Sequence, residues 1–149
     1  MCNFQTMVIN RTKNTLHRSL GFPKTVSPDA EIFRSARAGS AKNVKQLLSL
    51  NEASAKDITL FGTTLLHSAS KSGNMALVRL LIQEEAHVDA QDEDGESPLY
   101  GAMARSDNYD VARMSIENGA DLSSKVVDGG TPFHNNFNNT ISHVLMRDD

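Results

Sequence analysis

The sequence predicts an all-α fold in which short helical pairs stack side by side as a solenoid of about four units. The motif GTTLLHSA at Gly62 returns as GESPLYGA at Gly95 and as GGTPFHNN at Gly129. A repeat period between about 20 and 50 residues is the signature of stacked repeat architectures. Aromatic residues make up only 5% of the chain and Trp is absent, so the core must consist of the small and flexible apolar residues of packed helices.

Each unit contains the residues that begin a helix. Thr64, Ser97 and Thr131 occupy the position where a hydroxyl can accept a hydrogen bond from the first helical turn. Pro98 and Pro132 follow directly, at the first helical position, where the missing N–H of proline has no partner to lose. The motif therefore predicts a helix start in each unit.

The rest of the unit predicts a slim first helix and an apolar second helix. Ala69 and Ser70 keep the first helix thin enough for neighbouring units to approach. The second helix has an apolar face formed by Met75, Leu77, Val78, Leu81 and Ile82. One unit cannot bury this face alone, so stability must come from stacking on its neighbours.

These motifs resemble the ankyrin repeat, whose pattern runs G-x-T-P-L-H-x-A-A-x-x-G, then a second helix ending in L-L, then G-A-D-V-N-A. The resemblance covers residues 28–149 and predicts one ankyrin-repeat domain preceded by a basic N-terminal tail, residues 1–27. The approximate repeats are 28–61, 62–94, 95–128 and 129–149, and the outer two are expected to be degenerate caps. The resemblance implies that His67 and His134, which complete the T-P-L-H box, make structural hydrogen bonds.

The third repeat departs from the pattern in several places. Tyr100 replaces the histidine, Gly101 lies inside the first helix, and Ser115 takes a position that is usually apolar. It also has one residue more than the pattern allows between the box and the second helix. Either this repeat has drifted, or residues 104–107 form a bulge that presents Arg105 and Tyr109 to a partner.

The C-terminal segment also leaves two interpretations open. It contains four Asn where a helix favours Ala or Leu, and it ends without the G-A-D turn. It is expected either to fray or to need a partner that covers three apolar residues, Phe133, Phe137 and Val144.

Charge and cysteine content narrow the classes of function. Residues 1–56 carry nine Lys/Arg against three Asp/Glu, whereas residues 57–149 carry six against fifteen. This polarity can steer a charged partner, and the acidic repeat half disfavours nucleic acid. Cys2 is the only cysteine, which favours an intracellular location, in cytoplasm or nucleus or inside a host cell. No segment predicts a signal peptide or a membrane span.

The sequence contains no motif for catalysis, a cofactor or a metal. There is no nucleophile elbow, phosphate-binding glycine loop, H-E-x-x-H motif or cysteine pair. The acidic run DAQDEDGE lacks the glycine and the final glutamate of a calcium-binding loop. We therefore expect a protein that is not an enzyme and has no small-molecule substrate.

The ankyrin resemblance implies a protein-binding module that contacts its partner through a concave surface of turn fingers and first helices. An acidic fingertip, residues 92–96, lies between two fingers with apolar tips, which predicts a partner with basic residues around an apolar patch. The predicted contact residues are Leu60, Phe61, Thr63, Lys71, Gln91, Glu93, Asp94, Glu96, Arg105, Lys125, Val127 and Asp128.

Within the family, a small stack of this kind resembles inhibitors or adaptors, such as IκB-like inhibitors of transcription factors, ankyrin inhibitors of cyclin-dependent kinases, and bacterial effectors. The chain is expected to be a monomer. The alternative is a scaffolding module that associates with itself or with another domain through its C-terminal face.

Overall fold

A computed structural model of the chain describes residues 23–105 and 107–132. This part of the chain contains six helices, in three consecutive pairs, which confirms the predicted all-α repeat fold. The pairs are α1 (Glu31–Arg37) and α2 (Ala41–Ser49), α3 (Leu65–Ser72) and α4 (Met75–Gln83), and α5 (Pro98–Met103) and α6 (Tyr109–Glu117). None of the helices in the described residues is long and apolar enough to span a membrane.

The helices form two layers. In the first layer α3 packs on α1 and on α5, and in the second layer α4 packs on α2 and on α6. Ala36, Ala69 and Ala102 occupy equivalent positions in the three first helices, and each is completely buried. Because alanine has almost no side chain, the first helices can approach one another closely. Larger apolar residues fill the space between the layers, among them Leu65, Leu66, Leu77, Leu81 and Leu99.

Short polar side chains begin the helices of the central repeats. The hydroxyl of Thr64 accepts a hydrogen bond from the backbone N–H of His67, and Ser97 serves α5 in the same way. Asn74 caps α4, and its side-chain amide also donates to the carbonyl oxygen of Gly39 at 2.7 Å. This residue therefore stabilises its own helix and the contact with the preceding repeat.

A five-residue hairpin, which we call a finger, spans each boundary between successive repeats: finger 1 is 59–63, finger 2 is 92–96 and finger 3 is 126–130. In all three, the N–H of the first residue donates to the carbonyl oxygen of the fifth, at 2.9 to 3.1 Å. The fourth residue is a glycine with positive φ, between 73° and 79°. A left-handed residue at this position lets the chain reverse without strain.

The fingers are joined to one another through their main chains. The N–H of Glu93 donates to the carbonyl oxygen of Phe61 at 3.0 Å, and the N–H of Val127 donates to that of Asp94 at 2.9 Å. A side chain at Gly95 would place its Cβ only 3.1 Å from the Cα of Val126. Gly95 is thus required both for the turn and for the close contact between fingers 2 and 3.

The residues just before the first repeat are also attached to the stack. The N–H of Val26 donates to the carbonyl oxygen of Ile58 at 2.8 Å, and the N–H of Ile58 donates to that of Lys24 at 3.0 Å. Residues 24–26 belong to the segment that the ankyrin pattern leaves outside the repeats. They pair with the chain at the base of finger 1.

The third repeat accommodates its irregular residues locally. The first helix, α5, ends at Met103 and has six residues, against eight in α3. Ser115 is buried, and its hydroxyl donates to the carbonyl oxygen of Val111 at 2.9 Å. The polar residue at this usually apolar position is therefore satisfied within its own helix.

Candidate protein-binding surface

The tips of fingers 1 and 3 expose large apolar side chains. The exposed fractions are 76% for Leu60, 51% for Phe61 and 76% for Val127. Because the fingers are hydrogen-bonded side by side, these residues flank the acidic tip of finger 2, where Glu93 and Asp94 are exposed. The edge of the stack thus presents acidic groups between two apolar tips.

Gln91, directly before finger 2, and Asp92, its first residue, form hydrogen bonds that stabilise the fingers. The side-chain amide of Gln91 donates to the carbonyl oxygens of Gly95 at 3.2 Å and Lys125 at 3.4 Å, which links fingers 2 and 3. The carboxylate of Asp92 accepts from the backbone N–H groups of Asp94 and Glu96 at 3.1 and 2.9 Å. Both side chains are therefore held by hydrogen bonds within and between the fingers.

Thr59 makes the same turn contacts in finger 1 as Asp92 makes in finger 2. Its hydroxyl accepts from the backbone N–H groups of Phe61 at 3.3 Å and Thr63 at 3.2 Å. Thr59 was not among the residues that the sequence pattern singled out. The signal was present, because Thr59 and Asp92 hold the same repeat position and both side chains can accept hydrogen bonds. Val126 holds this position in finger 3 and has no side-chain acceptor.

The first helices and finger 2 line an open cleft of about 380 Å³. Three of the predicted contact residues, Thr63, Lys71 and Glu96, line this cleft together. Arg37 from α1 lines it as well, although the sequence pattern did not indicate this residue. The cleft therefore contains basic groups from the first two repeats and acidic groups from finger 2.

The remaining predicted contact residues lie outside the cleft. Arg105 is exposed in the connection between α5 and α6 and forms an ion pair with Asp107 at 3.4 Å. Ser106 between them is outside the described residues, so the bulge stays a prediction. Lys125 and Asp128 are exposed on and beside finger 3.

His67 connects the second repeat to the third. Its Nδ1 accepts from the backbone N–H of Thr64 at 3.1 Å, so the ring proton is on Nε2, which donates to the carbonyl oxygen of Glu96 at 2.9 Å. Burial lowers the pKa of His67 below its usual 6.5, against an opposing effect of the Glu96 carbonyl. Thr131 and Pro132 begin the fourth box, and His134 lies outside the described residues.

We expect the free energy of unfolding to decrease as the pH is lowered through the range just below 6.5. The lowered pKa means that the unfolded chain binds a proton at His67 more readily than the folded chain. The stabilisation is therefore complete above pH 6.5 and is lost as the pH falls through the folded-state value. Urea unfolding at pH 7.5, 6.5 and 5.5 measures this slope, which His67→Gln should reduce.

The control for this experiment is His87→Gln, because His87 is exposed in the loop after α4. It should leave the slope between pH 7.5 and 5.5 unchanged. An equal slope in wild type and His67→Gln would show that His67 is not the titrating group.

The described residues contain no group of three or more His, Cys, Asp or Glu placed to hold a metal ion. The observed surface consists of apolar tips and a mixed-charge cleft, and the histidine beside the cleft is buried and hydrogen-bonded through both ring nitrogens. Such a surface can bind another molecule through apolar and charged contacts.

Comparison with known proteins identifies the same repeats. A family model for three copies of the ankyrin repeat matches residues 32–126. Protein phosphatase 1 regulatory subunit 27 from mouse and from human are each 33% identical to the chain over 123 residues, which is 82% of this chain and 76% of each relative. An ankyrin repeat protein of fowlpox virus is 28% identical over 87 residues, 58% of this chain and 20% of the relative.

Proposed function

Because the chain belongs to the ankyrin-repeat family, we propose that it is a non-catalytic adaptor or inhibitor that binds a partner protein through its fingertips and first helices. The observation that carries this proposal is the exposure of Leu60, Phe61 and Val127 on fingers that are held in place by main-chain hydrogen bonds. Large apolar groups on a rigid, exposed edge are typical anchors of protein interfaces.

The charge of the surface indicates the chemistry of the partner. Glu93 and Asp94 lie between the apolar tips, and residues 57–149 as a whole have six basic and fifteen acidic residues. A partner that places basic side chains around an apolar patch would match this edge and would be steered toward it by the acidic half of the chain.

The relatives suggest which protein to test first. The mouse and human relatives are named as regulatory subunits of protein phosphatase 1, and the similarity extends over 76% of their length. We therefore propose that the partner is a protein phosphatase, and that this chain binds it as a monomer inside the cell. The other proposed roles, IκB-like inhibition and action as an effector, require a different partner on the same surface.

The test uses purified catalytic subunit of protein phosphatase 1 and the immobilised chain, with biolayer interferometry as the measurement. The variant Phe61→Ala, Glu93→Lys, Asp94→Lys should weaken binding at least about tenfold, because it removes an anchor and reverses two charges. Circular dichroism should show unchanged helix content. The matched control, Gln83→Lys at the exposed end of α4, should bind as wild type.

Two results would contradict the proposal in different ways. If wild type and the fingertip variant bound equally, the fingertips would not be the contact surface. If neither bound the phosphatase, the specific partner would be wrong, and the same pair of variants would then be compared in affinity capture from cell lysate. A protein retained by wild type and lost by the variant would identify the partner.

The scaffolding alternative concerns a different part of the chain. Self-association through the C-terminal face would use residues 133–149, which lie outside the described residues. Light scattering over a hundredfold range of concentration distinguishes the two. We expect the mass of a monomer throughout, and a rising mass would favour the scaffold.

A further inference from the structure

We propose that the cleft between the first helices and finger 2 binds an extended peptide segment of the partner that carries one acidic and one basic side chain on the same face. The acidic side chain contacts Lys71, and the basic side chain contacts Glu96. This inference rests on the proposed function, since it describes how a protein partner engages the surface behind the fingertips.

The cleft has two walls of opposite charge. Arg37 and Lys71 come from α1 and α3, whereas Asp92 and Glu96 come from finger 2. Among the described residues, neither Lys71 nor Glu96 takes part in an ion pair within 4.0 Å. The two opposite charges thus share one cleft of about 380 Å³ without forming an ion pair.

The neighbouring charges in the cleft are already engaged within the chain. The guanidinium of Arg37 donates to the carbonyl oxygen of Pro28 at 2.9 Å and lies 3.8 Å from the carboxylate of Asp29. The carboxylate of Asp92 accepts two backbone hydrogen bonds in finger 2. Lys71 and Glu96 are therefore the two charged residues of the cleft that form no ion pair or side-chain hydrogen bond among those found in the described residues, and we assign the partner's charges to them.

The helix side of the cleft, which we call its floor, includes a residue without a side chain. Gly101 occupies the position in α5 that Ser68 occupies in α3, and both residues line the cleft. A Cβ at Gly101 would lie 3.8 Å from the Cβ of Lys71, which is ordinary contact, so the glycine is not required by packing against that residue. Its effect is to leave the floor beside Lys71 without a side chain.

The size of the cleft favours an extended segment. A volume of about 380 Å³ lies near the lower end of the range for binding pockets and is small for a helix, whose diameter with side chains is about 10–12 Å. In an extended chain, residues i and i+2 point to the same face and are separated by about 7 Å. A peptide with Asp and Lys two positions apart therefore presents both charges on the face that enters the cleft.

The experiment titrates the ¹⁵N-labelled chain with three short capped peptides and follows the amide signals of Ser68, Lys71 and Gly101. The peptides contain Asp-Ala-Lys, Asp-Ala-Ala or Ala-Ala-Lys between glycines. The doubly charged peptide should bind about three- to fivefold more tightly than either singly charged peptide, as expected for partly exposed ion pairs at low salt. This advantage should decline as salt is added.

Two variants show which residue of the cleft pairs with each charged side chain of the peptide. Glu96→Gln should remove the advantage given by the Lys of the peptide and leave that given by the Asp, and Lys71→Gln should do the opposite. Arg79→Gln is the matched control, because Arg79 is exposed on α4 and does not line the cleft. It should bind all three peptides as wild type does.

The inference would be overturned if the three peptides bound equally, or if Lys71→Gln and Glu96→Gln behaved like Arg79→Gln. It would also be overturned if free aspartate and lysine shifted the same signals as strongly as the doubly charged peptide, because the cleft would then be a small-molecule site. The proposed function is tested separately. Fingertip-dependent binding of the phosphatase would survive any of these three results.

Discussion

The substitution Leu66→Ala is expected to lower the free energy of unfolding by about 3 kcal/mol, as is typical when a fully buried leucine is truncated. Leu66 is completely buried in α3, the helix that packs on α1, α4 and α5. The change removes apolar contacts and leaves a cavity that the fixed spacing of the stack prevents from closing. Urea unfolding monitored by circular dichroism measures the loss.

The control for this prediction is the same chemical change at an exposed site. Leu50 is 57% exposed at the end of α2, so Leu50→Ala should alter the free energy of unfolding by less than about 0.5 kcal/mol. Similar losses for the two variants would mean that α3 is not packed between its neighbours as described.

The substitution Gly95→Ala is expected to lower the free energy of unfolding by about 3 kcal/mol, from backbone strain together with steric overlap. Gly95 has a φ of +76°, a conformation that non-glycine residues adopt at a cost of about 1–2 kcal/mol. Its new Cβ would also lie 3.1 Å from the Cα of Val126, a main-chain atom of the next finger. Fingers 2 and 3 would have to separate, which weakens the hydrogen bond from Val127 to Asp94.

Gly129→Ala separates these two effects. Gly129 holds the same turn position in finger 3 with a φ of +79°, and a Cβ there meets nothing within 4 Å among the described residues. This variant should lower the free energy of unfolding by only about 1 kcal/mol, the strain alone. If Gly95→Ala and Gly129→Ala were equally destabilising, contact between the fingers would contribute nothing to stability.

The fold could be predicted from the sequence because the same helix-starting motif recurs in successive repeats. The recurrence of the box at Gly62, Gly95 and Gly129 gives the period, and Thr64 and Ser97 stand directly before the helices that the structure contains. These are local signals between residues close in the chain. The period then places equivalent residues side by side, which is enough to predict an all-α stack.

The details of the surface could be predicted only in part. The pattern shows which positions point outward, but the cleft depends on residues far apart in sequence, and Arg37 reaches it from a repeat that lacks the box. The repeat pattern places Gln91 at an outward position, yet its side-chain amide links two fingers. Whether such a polar side chain is hydrogen-bonded depends on a group about 34 residues away, in the next repeat. The sequence of one repeat does not show that contact.

The main-chain hydrogen bonds between the fingers set the shape of this edge independently of the side chains at the tips. The bonds from Glu93 to Phe61 and from Val127 to Asp94 involve only peptide groups, which every residue except proline possesses in full. The side chains at the tips can therefore be exchanged while the edge that displays them keeps its form. A chain built in this way can acquire a new partner by substitution at a few tips, and its frame can be reused as a binding scaffold.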